Sequence, residues 1–219
     1  MKFDRLAPHY DWLEAFTAGQ RLQRARTQWL DELAGCRHVL SVGEGHGRFA
    51  AAFLARFPEA RLTCLEASPG MIAVGKQRVR AWADRVHWEQ ADALTWSPTQ
   101  PYDAVVTCFF LDCFPPDALA SVVKRLADST APSAKWLVTD FAVPVSGAAR
   151  WRARAVHALM YAFFRVAVAL PARRLTNPDD LLAAHGFRLT HRREFEWGLV
   201  RSELWRRCDR NAEGKMPFS

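Results

Sequence analysis

His38-Val39-Leu40-Ser41-Val42-Gly43-Glu44-Gly45-His46-Gly47-Arg48 decides the architecture. The first five residues are a short, mostly apolar run with β-branched valines, as expected of a buried strand. Gly43 stops that run. Glycines 43, 45 and 47 then form a bend without β-carbons, so the backbone can take positive φ and a ligand can approach it closely. An Ala-rich helical run follows from Phe49 to Phe57, closed by Pro58. Strand, bare bend and helix make the first half of a βαβ unit, whose bend is a crevice for adenosyl ligands.

The same alternation continues downstream. Arg61–Glu66 reads as a second strand, Pro69 as the start of a helix through residues 70–82, and Val86–Glu89 as a weak third strand. Tyr102–Cys108 is a strong fourth strand, Pro115-Pro116 opens a helix to about Asp128, and Trp136–Asp140 is a fifth strand. Such alternation predicts an α/β fold with a doubly wound, mostly parallel sheet and helices on both faces. Near the end, Phe187–Phe195 and Leu199–Trp205 flank Glu196-Trp197-Gly198 and read as an antiparallel hairpin, bringing the sheet to seven strands. Residues 11–34 have apolar positions at helical spacing, and residues 1–35 are expected to form an N-terminal helical cap.

Residues 147–176 read as an inserted apolar helical segment centred on Ala155–Leu170. That run is too short to span a bilayer and is interrupted by Arg165. Three readings stay open: a core or dimer face, a lid over an apolar acceptor, and a helix in a membrane interface. Asn177-Pro178-Asp179-Asp180 then starts a short helix ending near His185-Gly186. The whole is one domain over residues 1–210, with a loose tail at 211–219.

Composition narrows the function classes. The 219 residues suit a single α/β core. The net charge of +7 is uneven: residues 1–145 carry 16 basic and 16 acidic side chains, residues 146–219 carry 14 and 7. No nucleic-acid motif accompanies this excess, which disfavours nucleic acid as a partner. An anionic membrane surface, an acidic substrate or a solvated face stay open. Five scattered cysteines (36, 64, 108, 113 and 208) contain no C-x-x-C pair, so neither a metal site nor a disulfide framework is expected. With no apolar leader in Met1–Trp12, a cytoplasmic protein is expected.

Two acids extend the glycine bend into a candidate site. Glu66 ends the second strand, where a carboxylate accepts hydrogen bonds from ribose hydroxyls. Asp92 follows the third strand, where it can accept from an adenine amino group while Met71 or Ile72 packs on the ring. The bend is G-x-G-x-G, not the G-x-G-x-x-G of pyrophosphate loops. A nicotinamide oxidoreductase is therefore a disfavoured alternative, and a non-catalytic adenosyl-binding module is another.

Val39–Arg48, Leu65–Ile72 and Gln90–Ala93 resemble successive signature motifs of class I S-adenosylmethionine-dependent methyltransferases, over about residues 36–143. Phe3-Asp4 and His9-Tyr10-Asp11 are similar to the start of the ubiquinone/menaquinone-type members. The resemblance implies a Rossmann-like fold, S-adenosylmethionine as cofactor with S-adenosylhomocysteine as product, and a small-molecule methyl acceptor. It places Gly43, Gly45 and Gly47 on the methionyl part, Glu66 at the ribose, and Asp92 and Ala93 at the adenine, with Ala67 in the cofactor-binding set. Met71 and Cys108 join the cofactor set, and Tyr10 closes over it. Ser41 stands where the family usually has an acid, and Glu44 takes over part of that role toward the methionyl ammonium.

Methyl transfer from a sulfonium needs an aligned acceptor, exclusion of water and, for some acceptors, removal of a proton. His9 is the candidate base by its ordinary pKa. Asp112, alone in the apolar run Cys108–Phe114, serves either as a cap before Pro115-Pro116 or as the polar end of the acceptor pocket. Asp140, ending the fifth strand, has the same two readings. Phe109, Phe110 and Phe114 either wall the transferred methyl or belong to the core. A mostly apolar acceptor is the expectation, with a membrane lipid or quinone as the alternative.

Overall fold

The computed structural model describes residues 19–144, 147, 150–158 and 175–208. In chain order these hold α1 (Gly19–Arg26), β1 (His38–Val42), α2 (Arg48–Arg56), β2 (Arg61–Glu66), α3 (Pro69–Arg78), β3 (Val86–Gln90) and β4 (Tyr102–Cys108). Then come α4 (Pro116–Asp128), β5 (Thr130–Phe141), α5 (Asp179–Ala184), β6 (Phe187–Phe195) and β7 (Val200–Arg207), with residues 150–158 helical between β5 and α5. Among the described residues one sheet of seven strands runs β3-β2-β1-β4-β5-β7-β6. The first five strands are parallel and β7 and β6 antiparallel. The order reverses at β1, since β2 lies on one side and β4 on the other; the crevice beyond these strand ends is where an open α/β sheet binds its ligand.

Alternation along the strands builds two cores, one on each face. Leu40, Val42, Val105, Trp136 and Val138 pack against Leu119, Val122, Val123 and Leu126 of α4. Val39, Leu62, Cys64, Val106 and Leu137 pack against Phe49, Phe53 and Leu54 of α2. Neighbouring residues of one strand thus enter opposite clusters, as a period of two requires. Each fully buried large side chain contributes about 1.5–3 kcal/mol by area transfer, so both faces hold the β1–β5 frame. The antiparallel end carries a buried carboxylate. Glu203 accepts from Arg192 Nε at 2.7 Å and Trp205 Nε1 at 2.9 Å, and Arg201 Nε lies 3.1 Å away.

The sequence expectations hold for the frame and fail at three element boundaries. The helix expected over residues 11–34 is broken within its described part: α1 ends at Arg26 and a short 3₁₀ turn spans Leu30–Leu33. Trp29 leaves helical geometry at φ −112°, and the Thr27 hydroxyl bonds to the carbonyl of Gln23. The helix expected through residue 82 stops at Arg78. Trp82 has φ −127°, and Arg85 reaches across to the Leu54 and Phe57 carbonyls at the end of α2. β5 begins at Thr130 rather than Trp136, its first half being exposed at Pro132 and Ser133 and so carrying no apolar signal. Pro69 does open α3, with the Ser68 hydroxyl accepting from Met71 N at 3.1 Å. The cap over residues 1–18, most of the insert and the tail lie outside the described residues.

Candidate functional site

β1 ends in the glycine bend, and the bend is built by its missing β-carbons. Gly43, Gly45 and Gly47 have φ of +65°, +62° and +80°, a region that side-chain-bearing residues rarely occupy. The three serve different ends. A β-carbon on Gly43 would sit 2.2 Å from the Phe110 ring, and one on Gly47 would sit 3.0 Å from Gly75 Cα, so α2 and α3 meet backbone to backbone. At Gly45 the nearest atom to such a carbon is the Gly43 carbonyl, at 4.0 Å, leaving its bare face open.

Glu66 ties the bend to the end of β2. One carboxylate oxygen accepts from Gly45 N and the other from Ser68 N, each at 2.9 Å. A carboxylate at this strand end can also accept from a ligand hydroxyl. Glu44 turns inward. Its carboxylate takes the Ser41 hydroxyl and the Ala50 N–H, the latter at 2.9 Å. Burial raises its pKa from 4.5 to about 7, against the lowering effects of the Ser41 and Ala50 hydrogen bonds and of Arg26.

A cleft opens over the carboxyl ends of β1, β2 and β4, with about 1040 Å³ of empty space when the open solvent at its mouth is counted. Gly43, Glu44, Gly45, Glu66, Ala67, Met71, Asp92, Ala93 and Cys108, all expected from the sequence, lie together in its wall. Asp92 also turns one oxygen to Leu94 N at 2.9 Å, capping the next turn. Ser41 acts from beneath through Glu44, and Gly47 acts through its contact with Gly75. Asp112 and Asp140 are buried at 6% and 2% exposure and stay out of the wall. His9 and Tyr10 lie outside the described residues.

Asp112 and Asp140 form an acid pair behind the apolar end of the cleft. Burial raises Asp112 to about 6. Burial, reinforced by the Asp112 charge, pushes Asp140 well above the carboxylate range. One Asp140 oxygen accepts from Phe110 N at 2.9 Å; the other has no partner among the described residues. Cys113 lies on this pair, its thiol 3.6 Å from an Asp112 oxygen. Burial pushes the Cys108 and Cys113 thiols up, so neither is a thiolate nucleophile near neutral pH.

Among the wall residues not anticipated as cofactor neighbours are Arg26, Phe110 in its contact with Gly43, and Phe109 in its backbone. Arg26 lies over the Phe109 ring at 4.9 Å. Phe109 holds φ +55°, a strained value for an aromatic residue, with its N–H bonded to the Thr139 carbonyl at 2.6 Å. Arginines abound in this chain and aromatics are usually core, so neither residue type carried a signal.

Fold and cleft together are those of an α/β protein with a ligand crevice where the strand order reverses, and comparison with known proteins gives its family. A family model described as a methyltransferase domain matches residues 39–133. Trans-aconitate 2-methyltransferase of Methylobacterium nodulans is 36% identical over 100 residues, 46% of this chain and 36% of that one. Demethylmenaquinone methyltransferase of Thermus thermophilus is 30% identical over 152 residues, 67% of each chain. The chain thus spans little more than a third of the first relative and two thirds of the second. In structure, the 1,6-didemethyltoxoflavin-N1-methyltransferase of Burkholderia thailandensis, solved with S-adenosylhomocysteine, superposes with a TM-score of 0.67 at 20% identity over 94% of this chain and 86% of that one. The chain belongs to the class I S-adenosylmethionine-dependent methyltransferases. The open face of Gly45, the Glu66 carboxylate and the wall formed by Met71, Asp92 and Ala93 fit the nucleoside of that family's cofactor.

Proposed function

We propose that this protein transfers a methyl group from S-adenosylmethionine to a small, mostly apolar acceptor. The observation that carries the proposal is the bare face of Gly45 held to the Glu66 carboxylate at 2.9 Å, at the point where the strand order reverses. In this reading Glu66 and Ala67 hold the ribose, Asp92 and Ala93 the adenine edge, and Met71 its face. Gly43, Gly45 and Glu44 receive the methionyl end, with Ser41 fixing the Glu44 carboxylate. S-adenosylmethionine supplies an electrophilic methyl group on a positively charged sulfur.

The chain's own groups orient and shield the reaction. Phe109, Phe110 and Phe114 line the acceptor end and exclude water. We assign to the Asp112/Asp140 pair, which lies behind the wall with both acids raised by burial, the holding of one proton near that end, with His9 as the alternative base. Tyr10 is assigned to closing over the cofactor. Free cysteines support a reducing, cytoplasmic setting. A lipid or quinone acceptor is the second reading, favoured by tryptophans that stand exposed on residues 150–158 and the β6–β7 turn.

Thermal unfolding tests the proposal. S-adenosylhomocysteine is expected to raise the melting temperature in a saturable manner, by mass action on the folded state, while NAD leaves it unchanged. Stabilisation by NAD, with none from S-adenosylhomocysteine, refutes the methyltransferase reading.

A further inference from the structure

We propose that the helical residues 150–158 and the β6–β7 turn form one surface that docks the protein onto an anionic lipid bilayer. Among the described residues, the large apolar side chains left exposed are Trp151, Val156 and Trp197, at 71%, 37% and 80%. All three lie on these two segments, which touch: Arg152 reaches the Glu196 carbonyl at 3.5 Å and lies 5.7 Å from the Trp197 ring centre.

The helical segment is built to face outward. Only Ala153 and His157, one turn apart, are buried in it. At 100° per residue the opposite pole carries Trp151, Ala155 and Ala158, with Arg152 and then Val156 on one side, Arg154 on the other, and Arg150 exposed nearer the buried face. An apolar ridge between guanidinium groups is the pattern of a helix lying in a membrane interface, with apolar side chains in the acyl boundary and arginines at the phosphates. No described helix is long and apolar enough to cross a membrane, so the contact lies on the surface.

Charge selects the partner. From Phe141 to Pro178 the sequence holds six arginines and no acidic residue. Beside the turn, Glu196 is engaged by Arg21 at 2.9 Å, and Arg193 stacks on Phe195. The turn adds a second argument. Glu196 and Trp197 have φ of +51° and +62°, where asparagine and glycine are the favoured residues. A tryptophan in strained backbone that buries little of itself does not stabilise the fold, so its position points to an external contact. The outward Trp151, Ala155 and Ala158, with Val156 exposed beside them, favour lipid over nucleic acid, because phosphate-backbone binding has no use for such a ridge.

The test uses the whole protein without turnover, so it stands apart from the methyltransferase reading. Co-sedimentation is measured with vesicles of phosphatidylcholine alone and with 3:7 phosphatidylglycerol:phosphatidylcholine (about 30% anionic lipid), at low and high salt. Binding is expected to the anionic vesicles, weakened by salt. Replacing Arg150, Arg152 and Arg154 with Gln should lower the partition coefficient about a hundredfold. Trp151→Gln with Trp197→Asn should abolish the salt-resistant part. Trp197→Asn serves alone should the double variant fold poorly, since asparagine suits the left-handed turn. Absence of binding to anionic vesicles overturns the proposal, as does binding that neither variant set changes. Competition by transfer RNA that depends on the arginines and not the tryptophans assigns the surface to nucleic acid and equally overturns it.

Discussion

Glu44→Gln is a replacement that should stabilise this protein, and only above a certain pH. The Glu44 carboxylate is buried at 9% exposure between the Ser41 hydroxyl and the Ala50 N–H. Burial raises its pKa from 4.5 to about 7. Below pH 4.5 both folded and unfolded chains hold the proton, and Glu44 adds no pH dependence. Between pH 4.5 and 7 the unfolded chain releases the proton while the folded chain keeps it, so stability falls as pH rises. Above pH 7 the loss is complete, at about 3 kcal/mol for this shift. Glutamine has no proton to lose; its carbonyl accepts from Ala50 N–H and its amide donates to the Ser41 hydroxyl. Urea unfolding followed by circular dichroism should show the variant more stable by about 3 kcal/mol at pH 8 and by less than about 1 kcal/mol at pH 5. An equal difference at the two pH values, or a less stable variant at pH 8, refutes this account of the Glu44 environment.

Two other substitutions probe the bend. Glu66→Ala removes the acceptor for Gly45 N and Ser68 N and, in our reading, for the ribose. S-adenosylhomocysteine binding should weaken by about 1–3 kcal/mol in a calorimetric titration, and retained affinity would remove Glu66 from the cofactor site. Gly47→Ala places a β-carbon 3.0 Å from Gly75 Cα at φ +80°. It should lower unfolding stability by about 1–3 kcal/mol; a neutral result would show that α2 and α3 have room to separate.

The frame was legible because its strands are buried on both faces. β1, β2 and β4 are short runs dominated by apolar residues, and each gives way to a clear stop or start signal: Gly43 after β1, Ser68 with Pro69 after β2, Pro115-Pro116 after β4. β5 was half legible: Trp136–Asp140 shows itself, while the pairing of Tyr102 with Thr130 across a register shift leaves no apolar pattern in Pro132 and Ser133. The break after α1 was hidden because Trp29, Leu30 and Leu33 suit a continued helix as well as a 3₁₀ turn packed on the same core. In the site, the glycines and Glu66 were singled out by their order at successive strand ends and by the family resemblance, neither being decisive by itself. Arg26 against Phe109, and Phe110 against Gly43, join elements remote along the chain, and no local pattern encodes such contacts. The acid pair was visible as two isolated carboxylates, but their mutual effect depends on the ends of β4 and β5 lying side by side in the sheet.

Gly75 is pressed from both sides. The Trp88 indole of β3, an outermost strand of the sheet, would lie 2.2 Å from a β-carbon there, and Gly75's own backbone is what confronts Gly47. Rim and bend are therefore mechanically in series, with no flexible side chain between them to absorb a displacement. A change of shape at Trp88, far from any reacting atom, is passed to the crevice through two bare backbones. The indole in turn is a built-in gauge for movement of the bend.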